Sequence, residues 1–163
     1  MKRDSNNVLV LSLSAASVLT LLGMTAMVTS RPEISVAQTQ ISRASAKPLA
    51  KELQGKPVVV DIYASWCPGC KNIAPTMSSL KQKYQGKVNF VVFDVSDRAT
   101  TQASEAKAQK LGLADFLAAN KAQTSLVAII DPATGKVLQQ FRNNPDKDDY
   151  VTVLERAIAQ MKK

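Results

Sequence analysis

An α/β domain, with a central mixed sheet, helices on both faces and a hydrophobic helix ahead of it, is the fold class that three observations predict. Short β-branched runs alternate with stretches of helical period from residue 58 onward. Their order, βαβαββα, is that of parallel strands joined by a crossover helix and followed by an antiparallel hairpin. The first forty or so of the 163 residues differ in composition from the rest, which leaves about 115 residues, close to the commonest size for one domain.

Along the chain, Lys2 and Arg3 precede residues 8–28, which contain 21 positions without a charge. As a helix this stretch is roughly 30 Å long, the thickness of a bilayer core, whereas a secretory apolar region runs about 7 to 15 residues. Residues 1–30 are therefore expected to be a membrane anchor, contacting the bilayer through residues 8–28. The alternative is a cleaved signal, since Ser35-Val36-Ala37 offers a small-x-small site before Gln38. A buried helix of the following domain is a third reading, disfavoured because nothing nearby supplies a complementary face. The positive flank keeps Lys2 and Arg3 cytoplasmic. Either leading reading puts the domain on the extracytoplasmic side, in a periplasm or thylakoid lumen, anchored or secreted after cleavage near Ala37.

Residues 31–46, rich in Ser, Gln, Ala and Thr, read as a linker, and 47–163 as the domain. Residues 48–53 suggest a short helix ended by Gly55 and Pro57, and 58–63 a buried strand. Helical spacing of Ile73, Met77, Leu80 and Tyr84 predicts a helix over 68–84, with Pro75 as a kink and Gly86 as a stop. Further strands are expected at 88–95, 125–130 and 136–141, and helices at 99–111, 113–120 and 148–161. The turn Asp131-Pro132-Ala133-Thr134-Gly135 separates the last two strands.

Composition excludes several kinds of chemistry. No histidine occurs in the chain, which removes the commonest general base and the commonest transition-metal ligand. From residue 47 onward 17 Lys and Arg face 11 Asp and Glu, a net +6, but the lysines are spread out. Without a basic stripe or stacking aromatics this is solubility, and no nucleic-acid partner is expected. Only two cysteines exist, three positions apart, so they form a local redox couple or half of a metal site. Zinc would need two more ligands of a kind the chain lacks, so no metal is assigned.

The chemistry therefore concentrates in Ser65-Trp66-Cys67-Pro68-Gly69-Cys70. Between a strand and a helix, this arrangement puts the Cys67 sulfur at the helix N-terminus, where unsatisfied N–H groups and the helix dipole favour thiolate. Cys70, one turn further in, is close enough for a disulfide and should be less exposed. Pro68 suits the first helical position. An aspartate inside the apolar run, Asp61, should have a raised pKa and exchange protons near neutral pH; the alternative is a solvated carboxylate at a strand edge.

Over residues 51–161 these features resemble the thioredoxin family. The resemblance implies the thioredoxin fold and thiol–disulfide oxidoreductase activity. It further implies that Asp61, six positions before Cys67, assists proton transfer at Cys70, that Trp66 shields the disulfide, and that Pro75 kinks the active-site helix. Ile129-Ile130-Asp131 followed by Gly135 resembles the membrane-tethered and periplasmic thioredoxin-like branch. Two departures stand out. The family's cis-proline position falls on Ser125, or on Thr124 if offset by one, and neither is proline; a cis bond there would cost about 2.5 to 4 kcal/mol. A trans peptide with a hydroxyl near the sulfurs is expected instead, and Thr124 and Ser125 become the candidate substrate groove. The dipeptide Pro68-Gly69 also inverts thioredoxin's Gly-Pro, and 113–120 is an addition.

The function expected is a disulfide reductase or relay on exported proteins, without cofactor, fed by a membrane electron donor. Its partners are protein disulfides and dithiols. The alternatives are an oxidase of the same fold, a peroxidase, whose Thr-x-x-Cys signature is lacking because Ala64 stands at the threonine position, and a non-catalytic metallochaperone or binding module.

Overall fold

The computed structural model describes residues 47–162, which belong to one compact unit. The apolar stretch at 8–28, the linker at 31–46 and the cleavage site at Ala37 lie outside the described residues. Among the described residues no helix is long and apolar enough to cross a membrane.

A 3-10 turn at Lys51–Leu53 leads into β1 (Val58–Tyr63), followed by α1 (Pro68–Lys83), β2 (Asn89–Asp94), α2 (Arg98–Leu111), α3 (Ala114–Asn120), β3 (Leu126–Ile130), β4 (Val137–Arg142) and α4 (Lys147–Met161). The sheet order is β2-β1-β3-β4. β1 runs parallel to β2 and antiparallel to β3, and β3 pairs antiparallel with β4. This is the mixed sheet that the element order predicts.

The alternation of side chains along a strand sorts the central strands between two cores. Val58, Val60 and Ile62 of β1 join Leu126, Ala128 and Ile130 of β3 against Ala108 and Leu111 of α2 and Phe116 and Leu117 of α3. Val59, Val127 and Ile129 face the other way, onto Ile73, Met77 and Leu80 of α1 and Tyr150 and Leu154 of α4. Both central strands are therefore apolar almost throughout, as strands covered on both faces must be. Each of the three large α1 side chains contributes about 1.5–3 kcal/mol by burial. Asp61 shares the parity of Val59, so the one charged residue of β1 points into the layer occupied by α1.

Element boundaries shift by a residue or two where caps decide them. α2 starts at Arg98 because Asp97 accepts from the Thr100 N–H while Thr100 Oγ1 accepts from the Asp97 N–H, a reciprocal cap worth more than the helical propensity of Ala99. α1 stops at Lys83, with Tyr84 as its C-cap. Of residues 48–53 only a 3-10 turn is helical.

Candidate active site

Strand β1 ends at Tyr63, and within four residues the chain turns into α1, whose N-cap is Cys67 itself. Pro68 occupies the first turn of the helix, where its fixed φ fits and its missing N–H is not needed. The Cys67 sulfur accepts from the Cys70 N–H at 3.1 Å. A sulfur thus takes the place of the usual capping oxygen and meets the positive end of the helix.

Both cysteines are free thiols and nearly equally buried, at 4% and 3% exposure. The expected contrast in exposure is thus small, because Ala64, Tyr63 and Val95 pack around the pair. Hydrogen bonding separates them instead. Burial pushes Cys67 up, but the Cys70 thiol, the Thr124 hydroxyl and the backbone N–H groups of Cys70 and Gly69 together outweigh it and hold Cys67 below the usual thiol range. Cys70 is driven from 9.0 to about 11, chiefly by burial and then by its bond to Cys67. Its sulfur lies 3.8 Å from the Ile62 carbonyl oxygen.

Beneath the pair, Asp61 is 8% exposed and its Oδ1 has no hydrogen-bond partner among the described residues. Burial lifts its carboxyl from 3.8 to about 6, partly opposed by the ammonium of Lys81. It is not the solvated strand-edge carboxylate of the alternative reading. A cavity of about 320 Å³ is lined by Asp61 and Cys70 together with Tyr63, Ser78 and Lys81. It is large enough to admit water to both groups.

Trp66 is 60% exposed, the one large apolar side chain so displayed among the described residues. Its Nε1–H donates to the Ser96 carbonyl at 2.8 Å, and the Ser65 N–H donates to Ser96 Oγ. Asp94 Oδ1 in turn accepts from both the hydroxyl and the N–H of Ser96. The ring is pinned to the loop after β2. Ser96 and Asp94 were missed in the sequence. The signal for them is the parallel register, which sets Asp94 beside Tyr63 and so brings the loop after β2 next to the motif.

On the other flank the peptide before Ser125 is trans, and no cis bond occurs among the described residues. Ser125 is buried and has φ 64°, a left-handed conformation that a serine adopts only when its surroundings enforce it. Its N–H donates to the Ile62 carbonyl at 2.9 Å, and its carbonyl accepts from the Asn143 N–H at 3.0 Å. Asn143, exposed and at φ 49°, is bridged to α1 by Asn72 Nδ2 at 3.0 Å. A Cβ on Gly69 would lie 2.7 Å from Ser125 Oγ, so only glycine lets this loop close on the motif. Asn72 and Asn143 were also missed; the Asn143-Asn144-Pro145 run marks a turn but not its neighbour. Pro75 lies further along α1, exposed. It removes the N–H that would bond the Lys71 carbonyl, acting on the helix rather than on the sulfurs.

The sequence pattern described as Thioredoxin matches residues 25–133. The chain belongs to the thioredoxin family. Members of the family are thiol–disulfide oxidoreductases. Among relatives, the thioredoxin-like protein HCF164, chloroplastic, of Arabidopsis thaliana is 35% identical over 50% of this chain and 31% of its own length. The thiol:disulfide interchange protein TxlA homolog of Synechocystis is 43% identical over 32% of this chain and 29% of its own. The match thus spans less than a third of either relative. A thioredoxin family thiol:disulfide interchange protein of Chlorobium tepidum TLS shares the fold, with a TM-score of 0.50 and 19% identity, over 72% of this chain and 98% of that one.

Proposed function

We propose that this thioredoxin-family chain reduces or relays disulfides of exported proteins, with Cys67 as attacking thiolate and Cys70 as resolving thiol. The observation that carries the reading is the opposed tuning of the two sulfurs. Cys67 is capped by N–H groups that favour its thiolate, while Cys70 is held as a thiol next to a buried carboxyl.

In this mechanism the Cys67 thiolate attacks one sulfur of a substrate disulfide, and the other substrate sulfur leaves as a thiolate. Asp61 accepts the Cys70 proton across the cavity. Cys70 then attacks Cys67 Sγ, the substrate sulfur departs with its electron pair, and a Cys67–Cys70 disulfide remains. Two electrons have passed to the substrate, and an electron donor, on this reading in the membrane, must return them. Trp66 and the half-buried Thr124 offer the surface on which an extended substrate segment docks, whereas Ser125, expected in that groove, is buried and tied to β1 through the Ile62 carbonyl; Pro68, Gly69 and Pro75 shape the helix that presents the sulfurs.

The domain works outside the cytoplasm, held by residues 8–28 or released by cleavage near Ala37. The uncharged stretch behind a positive flank supports this, as does similarity to a thioredoxin-like protein named as chloroplastic. One observation favours a second reading, an oxidase: several donors on the Cys67 thiolate stabilise the reduced pair and so raise its oxidising power.

Equilibration of the Cys67–Cys70 pair with glutathione, together with insulin-disulfide reduction, tests both. A reducing potential with turnover lost in Cys67→Ser and a trapped mixed disulfide in Cys70→Ser is the expected result. A pair as oxidising as about −120 mV would favour the oxidase, and no turnover in either direction would refute both.

A further inference from the structure

The Ile62 carbonyl oxygen is a meeting point at the site. It accepts the Ser125 N–H at 2.9 Å, and the Cys70 sulfur lies 3.8 Å from it as a thiol donor. The Ser125 N–H and the Cys70 sulfur are therefore neighbours around one acceptor. While Cys70 keeps its proton, both groups donate to that oxygen. Once Cys70 ionises it has no proton to offer and its charge repels the carbonyl, whereas an N–H already alongside becomes its natural partner.

We propose that the backbone N–H of Ser125 donates to the Cys70 sulfur as it becomes a thiolate, making Ser125 a catalytic residue of the resolving step through its main chain rather than its hydroxyl. Proline, which has no N–H, can supply nothing of the kind. The serine thus provides a donor that the family's proline lacks. The Ala64 N–H, which also lowers the Cys70 pKa, completes a pair of donors. Strain supports the assignment. Ser125 sits at φ 64° with its side chain against Gly69 and its carbonyl tied to Asn143, and strained left-handed non-glycine residues cluster at active sites. Asn143, itself left-handed, is the positioning residue that holds this aim.

The inference rests on the proposed role of Cys70 as resolving thiol. In the step concerned, the Cys70 proton passes to Asp61, the Cys70–Cys67 bond forms, and the substrate sulfur leaves with the electron pair of its broken bond to Cys67. The N–H of Ser125 stabilises charge and is not consumed.

The test uses the full-length chain with Ser125→Pro, Ser125→Gly and an amide-to-ester replacement at Ser125, which removes the N–H without fixing φ. Single-turnover kinetics separate attack by Cys67 from resolution by Cys70. Without the N–H, resolution of the preformed mixed disulfide is expected to slow about tenfold, and Ser125→Gly, which keeps the donor but loses the side chain, should slow it far less. Should Ser125→Pro fail to fold, the ester decides. A folded variant lacking the N–H that resolves at the wild-type rate overturns the proposal. A second readout does not need the substrate. In a Cys67→Ser background the alkylation of Cys70 should titrate at higher pH in the ester than in its amide parent, and coincident profiles would overturn the proposal. A Cys70→Ser variant that traps no mixed disulfide would refute the oxidoreductase reading instead, leaving this titration to judge the donor.

Discussion

At the scale of single residues, the site works by making two chemically identical thiols unlike each other, and Asp61 is the group whose removal reads out most cleanly. Its carboxyl titrates near 6 in the fold against an ordinary 3.8, so the folded chain holds this proton more tightly than the unfolded chain. Stability therefore falls as pH rises from about 4 to about 6 and stays at the lower level above that. Asp61→Asn is expected to raise stability by about 2 kcal/mol at pH 7.5, measured by urea unfolding, with the gain vanishing below pH 4. The same variant should slow resolution by Cys70 while sparing attack by Cys67. Gly69→Ala would bring a methyl within 2.7 Å of Ser125 Oγ; it should lower the melting temperature and move the Cys67 titration toward that of free cysteine, checked by thiolate absorbance. Cys67, Cys70, Asp61 and Trp66 were legible in the sequence because their spacing is local. Ser96, Asn72, Asn143 and the left-handed conformation of Ser125, itself a named candidate, were not, because each owes its place to a contact between segments distant in the chain.

Among the elements, strand parity and helix caps decide what reaches the site. The β1 run could be read as a strand from its β-branched residues, but which face Asp61 takes follows only once α2 and α3 cover one side and α1 and α4 the other. Likewise the β-hairpin was legible from Asp131 to Gly135, while the reason for its glycine was not. Gly135 has φ 68°, and a Cβ there would collide with the Lys47 carbonyl. Gly135→Ala is expected to destabilise the fold by more than about 1 kcal/mol, seen in chemical denaturation, with the titration of Cys67 unchanged. At α2, Asp97→Ala removes a reciprocal cap and should lower the melting temperature by a few degrees without altering dithiol reactivity. Changes in helix caps and hairpin turns thus separate stability from chemistry.

At the scale of the whole molecule, a two-faced sheet provides the rigidity that lets one helix N-terminus favour the thiolate of Cys67. The fold of the described residues was legible because element order alone selects a mixed sheet with a terminal hairpin, whereas boundaries depended on caps: Asp97 for α2, Tyr84 for α1, and Asp146, whose side chain accepts from the Asp148 N–H, for α4. The proposed anchoring belongs to this scale as well. The full-length chain should remain with membranes after alkaline carbonate extraction, and a chain released in full would point to cleavage near Ala37. All of the chemistry, however, depends on the ionisation of Cys67, and the pH dependence of thiol alkylation in the reduced full-length chain, with modified sites located by mass spectrometry, tests it most directly. Cys67 should react at lower pH than free cysteine does, and Cys70 only as pH approaches about 11; parallel reaction of both thiols with a free-cysteine midpoint would contradict the account.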